Sequence, residues 1–101
     1  MGFTMKNNNK ILSITHHLLL AQFNNRVLIP VDELAENYLG LSIATAKRKA
    51  KINDLPFPSF KMGNSQKSPY VVHLHDLVRF IDKRTVEAEN LWKEYQYKMV
   101  S

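Results

Sequence analysis

The 101-residue sequence contains no cysteine. That absence excludes a disulfide scaffold and a thiolate zinc site, and it accords with a reducing cytoplasm. No stretch approaches the roughly 18 apolar residues needed to span a bilayer. The longest apolar run near the start, Leu18–Ala21, follows His16 and His17 and precedes no small-residue cleavage site, so neither a membrane segment nor a signal peptide is expected. Glycine-rich phosphate loops and nucleophile motifs are also missing. An enzyme is therefore not expected, and no cofactor is assigned. There is no internal repeat, no low-complexity tract beyond Asn7–Asn9, and no linker long enough to divide domains. An apolar content of 45% over this length fits one compact domain with a small core.

Acidic residues are scarce in one segment. Residues 1–41 balance Lys6, Lys10 and Arg26 against Asp32, Glu33 and Glu36. Residues 68–101 are likewise neutral, but residues 42–67 carry Lys47, Arg48, Lys49, Lys51, Lys61 and Lys67 against Asp54 alone. The whole net charge of +5 sits there. A basic segment between two neutral ones is the footprint of a polyanion-binding surface; charge by itself is equally compatible with a solvated helix that has no partner.

Residues 1–10 read as a flexible N-terminal arm. A helix is predicted over Ile11–Phe23, with Ile11, Ile14, Leu18 and Leu19 as its apolar stripe, Ser13 or Thr15 as cap, and Asn24–Asn25 as the stop. Val27–Ile29 reads either as a strand or as an extended lead-in to Pro30. A helix over Val31–Leu39 follows, with Asp32 and Glu33 in its dipole-favoured first turn, Leu34, Ala35 and Tyr38 facing inward, and Gly40 as a left-handed C-cap. Ser42 then caps a helix over Ile43–Ile52 whose narrow inner face is Ile43, Ala46 and Ala50. Two short helices joined at a glycine make the helix-turn-helix pattern. Leu55-Pro56-Phe57-Pro58 is extended. Ser59–Met62, with Phe60 inward, and Tyr70–Leu74 form a hairpin around a polar, basic tip. Asp76 opens a last helix reaching about Lys98, with a seam at Leu77, Ile81, Arg84, Ala88, Leu91, Tyr95 and Lys98.

The expected fold is mainly α with a small β-hairpin: a winged helix-turn-helix of the excisionase and MerR type with a long C-terminal helix. Its domain spans residues 11–84. Residues 85–101 form a helical extension whose Ala88, Leu91, Trp92 and Tyr95 suit self-association. In such a plan the second helix enters the major groove of duplex DNA. Arg48 is the first candidate for a base contact, because a guanidinium can bond guanine O6 and N7 together. Thr45 suits a thymine methyl or a phosphate, and Lys47, Lys49 and Lys51 suit phosphates. Ser42 stands at a helix start, where backbone N–H groups receive anions. At the wing, Lys61, Asn64, Ser65, Gln66 and Lys67 suit the backbone or the minor groove.

Other readings are weaker. His73 and His75 would share a strand face, but with no cysteine and no evident third ligand they read as strand end and helix entry, and no metal is assigned. Asp32, Glu33 and Glu36 read as dipole and solubility residues. A helical protein-interaction adaptor, with the Trp92 and Tyr95 surface as its binding face and the basic helix incidental, is the alternative from a different functional class.

Several short motifs in one order carry a resemblance: Leu19-Leu20-Ala21-Gln22-Phe23, Ile29-Pro30-Val31, Arg48-Lys49, Leu55-Pro56-Phe57-Pro58, Ser65-Gln66-Lys67, Val72-His73-Leu74-His75-Asp76-Leu77 and Phe80-Ile81-Asp82. Over about Leu18 to Trp92 the chain resembles the pyocin activator protein (PrtN) family of phage-related transcription regulators. The resemblance implies promoter binding and transcription activation by a bacterial or phage-encoded cytoplasmic protein, nucleoid-associated when bound. Its partners would be double-stranded DNA, a second copy or cooperative oligomer, and RNA polymerase. Arg48, Lys49, Gln66 and Lys67 match that pattern. The Leu-Pro-x-Pro stretch before a basic wing also looks like phage excisionases, which bend DNA and direct an integrase.

Overall fold

A computed structural model describes residues 13–100. The expected arm at residues 1–10 and the expected helix start at Ile11 lie outside the described residues. The first helix, α1, is Ile14–Gln22. Ser13 is its cap: Ser13 Oγ accepts from the His16 backbone N–H at 3.2 Å. Asn24 and Asn25, both at positive φ, end it as expected. Its inner face differs from the expected stripe. Leu19 and Phe23 are buried, whereas Ile14 and Leu18 stand 76% and 65% exposed. Leu18, Leu19 and Leu20 are consecutive, so the helical phase was ambiguous until packing against the last helix selected one side.

Leu28–Pro30 is a strand, β1. Strands β2 (Phe60–Lys61) and β3 (Tyr70–His73) complete a three-stranded antiparallel sheet in the order β1-β3-β2. The expected hairpin thus gains a third strand. Pro30 has no N–H to donate, which is tolerable because β1 is an edge. Ile29 pairs with Val72, and both are fully buried. Phe60 pairs with Val71 on the opposite face, where Phe60 stays 41% exposed. The expectation of an inward Phe60 is corrected by this register, since neighbouring strand residues alternate faces. Phe57 supplies the core aromatic instead, meeting Phe80 edge-to-face at 5.4 Å.

The helix expected over Val31–Leu39 is only partly α. Val31–Leu34 is α-helical (α2), and Ala35–Leu39 widens into a π-helical turn. Gly40 closes it at φ 66°, a conformation that suits a residue without Cβ. The third helix, α3, is Ile43–Lys51. Ala46 and Ala50 are buried where α3 meets α2, but Ile43, expected beside them, remains exposed in the first turn. Small side chains at the contact allow the two helices a close approach.

The last helix, α4, runs Leu74–Val100, so it begins two residues before Asp76. Its Leu74, Leu77 and Val78 close the core formed with Leu19, Phe23, Ile29, Val31, Leu34, Ala35, Phe57 and Val72. Beyond Ile81 every residue described is exposed, including Ala88, Leu91, Trp92 and Tyr95. At 1.5 Å per residue, 27 residues make a rod of about 40 Å. The radius of gyration, 17.1 Å, exceeds the roughly 13 Å of a compact chain this long, as a projecting helix requires. Among the described residues no helix is long and apolar enough to cross a membrane.

Candidate nucleic-acid interface

The exposed side of α3 and the β2–β3 loop face one another across an open groove of about 860 Å³. Helix α3 contributes Lys47, Arg48 and Lys51; the loop and its strands contribute Lys61, Gln66, Lys67, Ser68, Pro69 and Tyr70; α2 contributes Asp32. Ala46 and Ala50 orient these side chains. With that face buried, residues one and two positions further along point sideways toward the loop or straight outward.

The groove is cationic with defined internal contacts. Lys61 Nζ lies 5.1 Å from the centre of the Tyr70 ring, within cation–π range, and the two residues are paired across the strands. Lys47 Nζ stands 3.7 Å from Asp32 Oδ2. The turn beyond it is held locally: Lys67 N–H donates to Ser65 Oγ and Ser68 N–H to the Ser65 carbonyl. Gly63 lies close to the Ser68 side chain: a Cβ there would fall 2.7 Å from Ser68 Oγ, so that hydroxyl would have to turn aside.

Six of the residues singled out in the sequence therefore share one surface: Lys47, Arg48, Lys51, Lys61, Gln66 and Lys67. The others lie elsewhere. Asn64 and Ser65 are exposed at the tip. Ser42 Oγ accepts from the Thr45 N–H at 3.2 Å and donates to Thr45 Oγ1, so both hydroxyls serve the helix start. Lys49 turns back to Asp54 at 3.2 Å. Asp32, Ser68 and Tyr70 are groove residues that sequence reasoning missed. Strand alternation puts Tyr70 on the side of Lys61, a signal available once the register is known; Asp32 is revealed only by the packing of α2 on α3.

A second polar cluster joins α1 to α4. His16 Nε2 and His75 Nδ1 are 3.3 Å apart with their rings stacked, and the His75 backbone N–H donates to His73 Nδ1 at 3.0 Å. His75 thus lies in the first turn of α4 rather than on the strand with His73. Partial burial, then the neighbouring His75, hold His16 below the usual imidazole range, against an opposing pull from Asp82. Arg26 grips Glu33 through two bonds of 2.9 and 2.7 Å, raising the guanidinium's pKa and lowering the carboxyl's.

No curated protein and no solved structure matches this chain. The family model described as pyocin activator protein PrtN matches residues 15–88, a span that runs from α1 into the outer part of α4 and contains every groove residue. The chain belongs to the pyocin activator protein PrtN family.

Proposed function

We propose that this protein is a transcription activator that binds double-stranded DNA in a sequence-specific manner through a winged helix-turn-helix. The observation that carries the reading is the cationic groove between α3 and the β2–β3 loop, which gathers Lys47, Arg48, Lys51, Lys61 and Lys67 on one face. Family membership favours activation over excision. A major groove about 12 Å wide admits a helix about 10–12 Å across with its side chains. Helix α3 enters that groove with Arg48 against base edges, while Lys51, Lys61 and Lys67 neutralise phosphates and the loop follows the backbone or minor groove. One module this small reads few base pairs. A second copy, joined along Ala88, Leu91, Trp92 and Tyr95, doubles the site; these four side chains are exposed.

The test is selection of genomic duplex fragments by the purified protein, followed by sequencing. Enrichment of one motif upstream of promoters is expected; enrichment inside attachment sites would instead identify an excisionase. Arg48→Ala should lose about 1–3 kcal/mol of discrimination at one position. Lys51→Ala should weaken all duplexes alike and flatten the salt dependence by about one ion. Parent-like binding by both variants would overturn the groove assignment.

A further inference from the structure

Among the described residues, Asp32 is the one carboxylate lining the cationic groove. It stands in the first turn of α2. Its side chain is 42% exposed. Lys47 Nζ at 3.7 Å is close enough to orient the carboxylate but beyond hydrogen-bond reach, and no hydrogen bond among the described residues occupies Asp32 Oδ1. Asp32 lines the same groove as Arg48, the residue assigned to read bases.

A carboxylate facing DNA is repelled by the phosphates at every site. It becomes favourable only where a donor meets it, and the major groove offers such donors on two bases, the N4 amino group of cytosine and the N6 amino group of adenine. Resting on the DNA-binding reading above, we propose that Asp32 is a specificity-determining residue that accepts a hydrogen bond from the amino group of a cytosine or adenine in the target site, with Lys47 as its positioning residue. The carboxylate thereby works in two directions: it rewards one base and penalises random duplex. Glu36 lies on the π-helical turn outside this groove and has no such role.

The experiment compares the parent with Asp32→Ala, Lys47→Ala and, as a charge-matched control, Glu36→Gln. Each is carried through duplex selection and through titration of the selected and a scrambled duplex over a salt series. For Asp32→Ala the expected results are loss of the cytosine or adenine preference at one position, roughly fivefold weaker binding of the selected duplex, and two- to fivefold tighter binding of the scrambled one. Release of Lys47 to a phosphate should steepen the salt slope on scrambled duplex by about 0.9. Lys47→Ala should blur the same position, and Glu36→Gln should keep the parent motif. Equal tightening of both duplexes by Asp32→Ala, with the motif intact, would make the carboxylate a plain electrostatic brake and overturn the proposal. Absence of duplex binding by the parent would overturn the DNA-binding reading itself, a result distinguishable from the former. Circular dichroism of the variants confirms that each comparison is between folded chains.

Discussion

Ser42 is the N-cap of α3, as the sequence leads one to expect. Its Oγ accepts the Thr45 N–H at 3.2 Å with the residue at φ −67° and ψ 156°, the geometry of an N-cap. Helix α3 has nine residues, too few to persist alone in water, so its first turn depends on this bond and on the buried Ala46 and Ala50. Ser42→Ala leaves one backbone donor without its side-chain partner, at a cost of about 1 kcal/mol. Unfolding entropy near 2.1 cal/mol/K per residue gives roughly 0.2 kcal/mol/K for a chain of this length. The expected fall in Tm is therefore about 5 °C, read by circular dichroism at 222 nm. Ser42→Asp retains a capping oxygen and adds a charge suited to the helix dipole, so its Tm should match or exceed that of the parent. On duplex DNA the two variants should part: the alanine keeps near-parent affinity, while the aspartate weakens binding if a phosphate approaches the helix start. A Ser42→Ala Tm equal to the parent's would refute the capping argument, and parent-like DNA affinity for Ser42→Asp would remove the α3 start from the interface.

Stability should also depend on pH. Because His16 is held below its ordinary value of 6.5, the unfolded chain takes up this proton before the folded one does. Stability is then fully present above about pH 6.5 and declines as pH falls through it; His16→Gln should flatten denaturant midpoints between pH 7.5 and 5, and an equally steep profile in that variant would exclude the pair as the source. Truncation after Arg84 removes exposed helix and leaves the core residues in place, so thermal stability should change little while light-scattering mass drops. An unchanged number of chains per particle would eliminate the distal helix as the self-association seam.

Much of the architecture was legible along the chain because its signals are local. Ser13 and Ser42 as caps, Asn24, Asn25 and Gly40 in left-handed conformations, and prolines at strand and loop edges each act through bonds to near neighbours. The concentration of positive charge in residues 42–67 is likewise a property of sequence alone. The two small residues Ala46 and Ala50 set the phase of α3, which places Arg48 roughly opposite the buried face and Lys47 and Lys51 on its flanks.

What only the tertiary structure decided was which of several equivalent residues met a partner. Leu18 and Leu19 are chemically identical, and contact with α4 buried one and left the other in water. Phe57 is buried against Phe80, whereas the register of Phe60 with Val71 leaves Phe60 on the other face of the sheet. The π-helical turn at Ala35–Leu39 has no local signature in the sequence. The groove is equally non-local: Asp32 and Lys67 are far apart in sequence, and they line one surface because β3 pairs with both β1 and β2 while α2 packs on α3. Sequence by itself determined the local turns, the caps and where the charge resides; long-range packing determined which charges face each other, because side-chain burial is allotted by neighbours that the chain brings together only on folding.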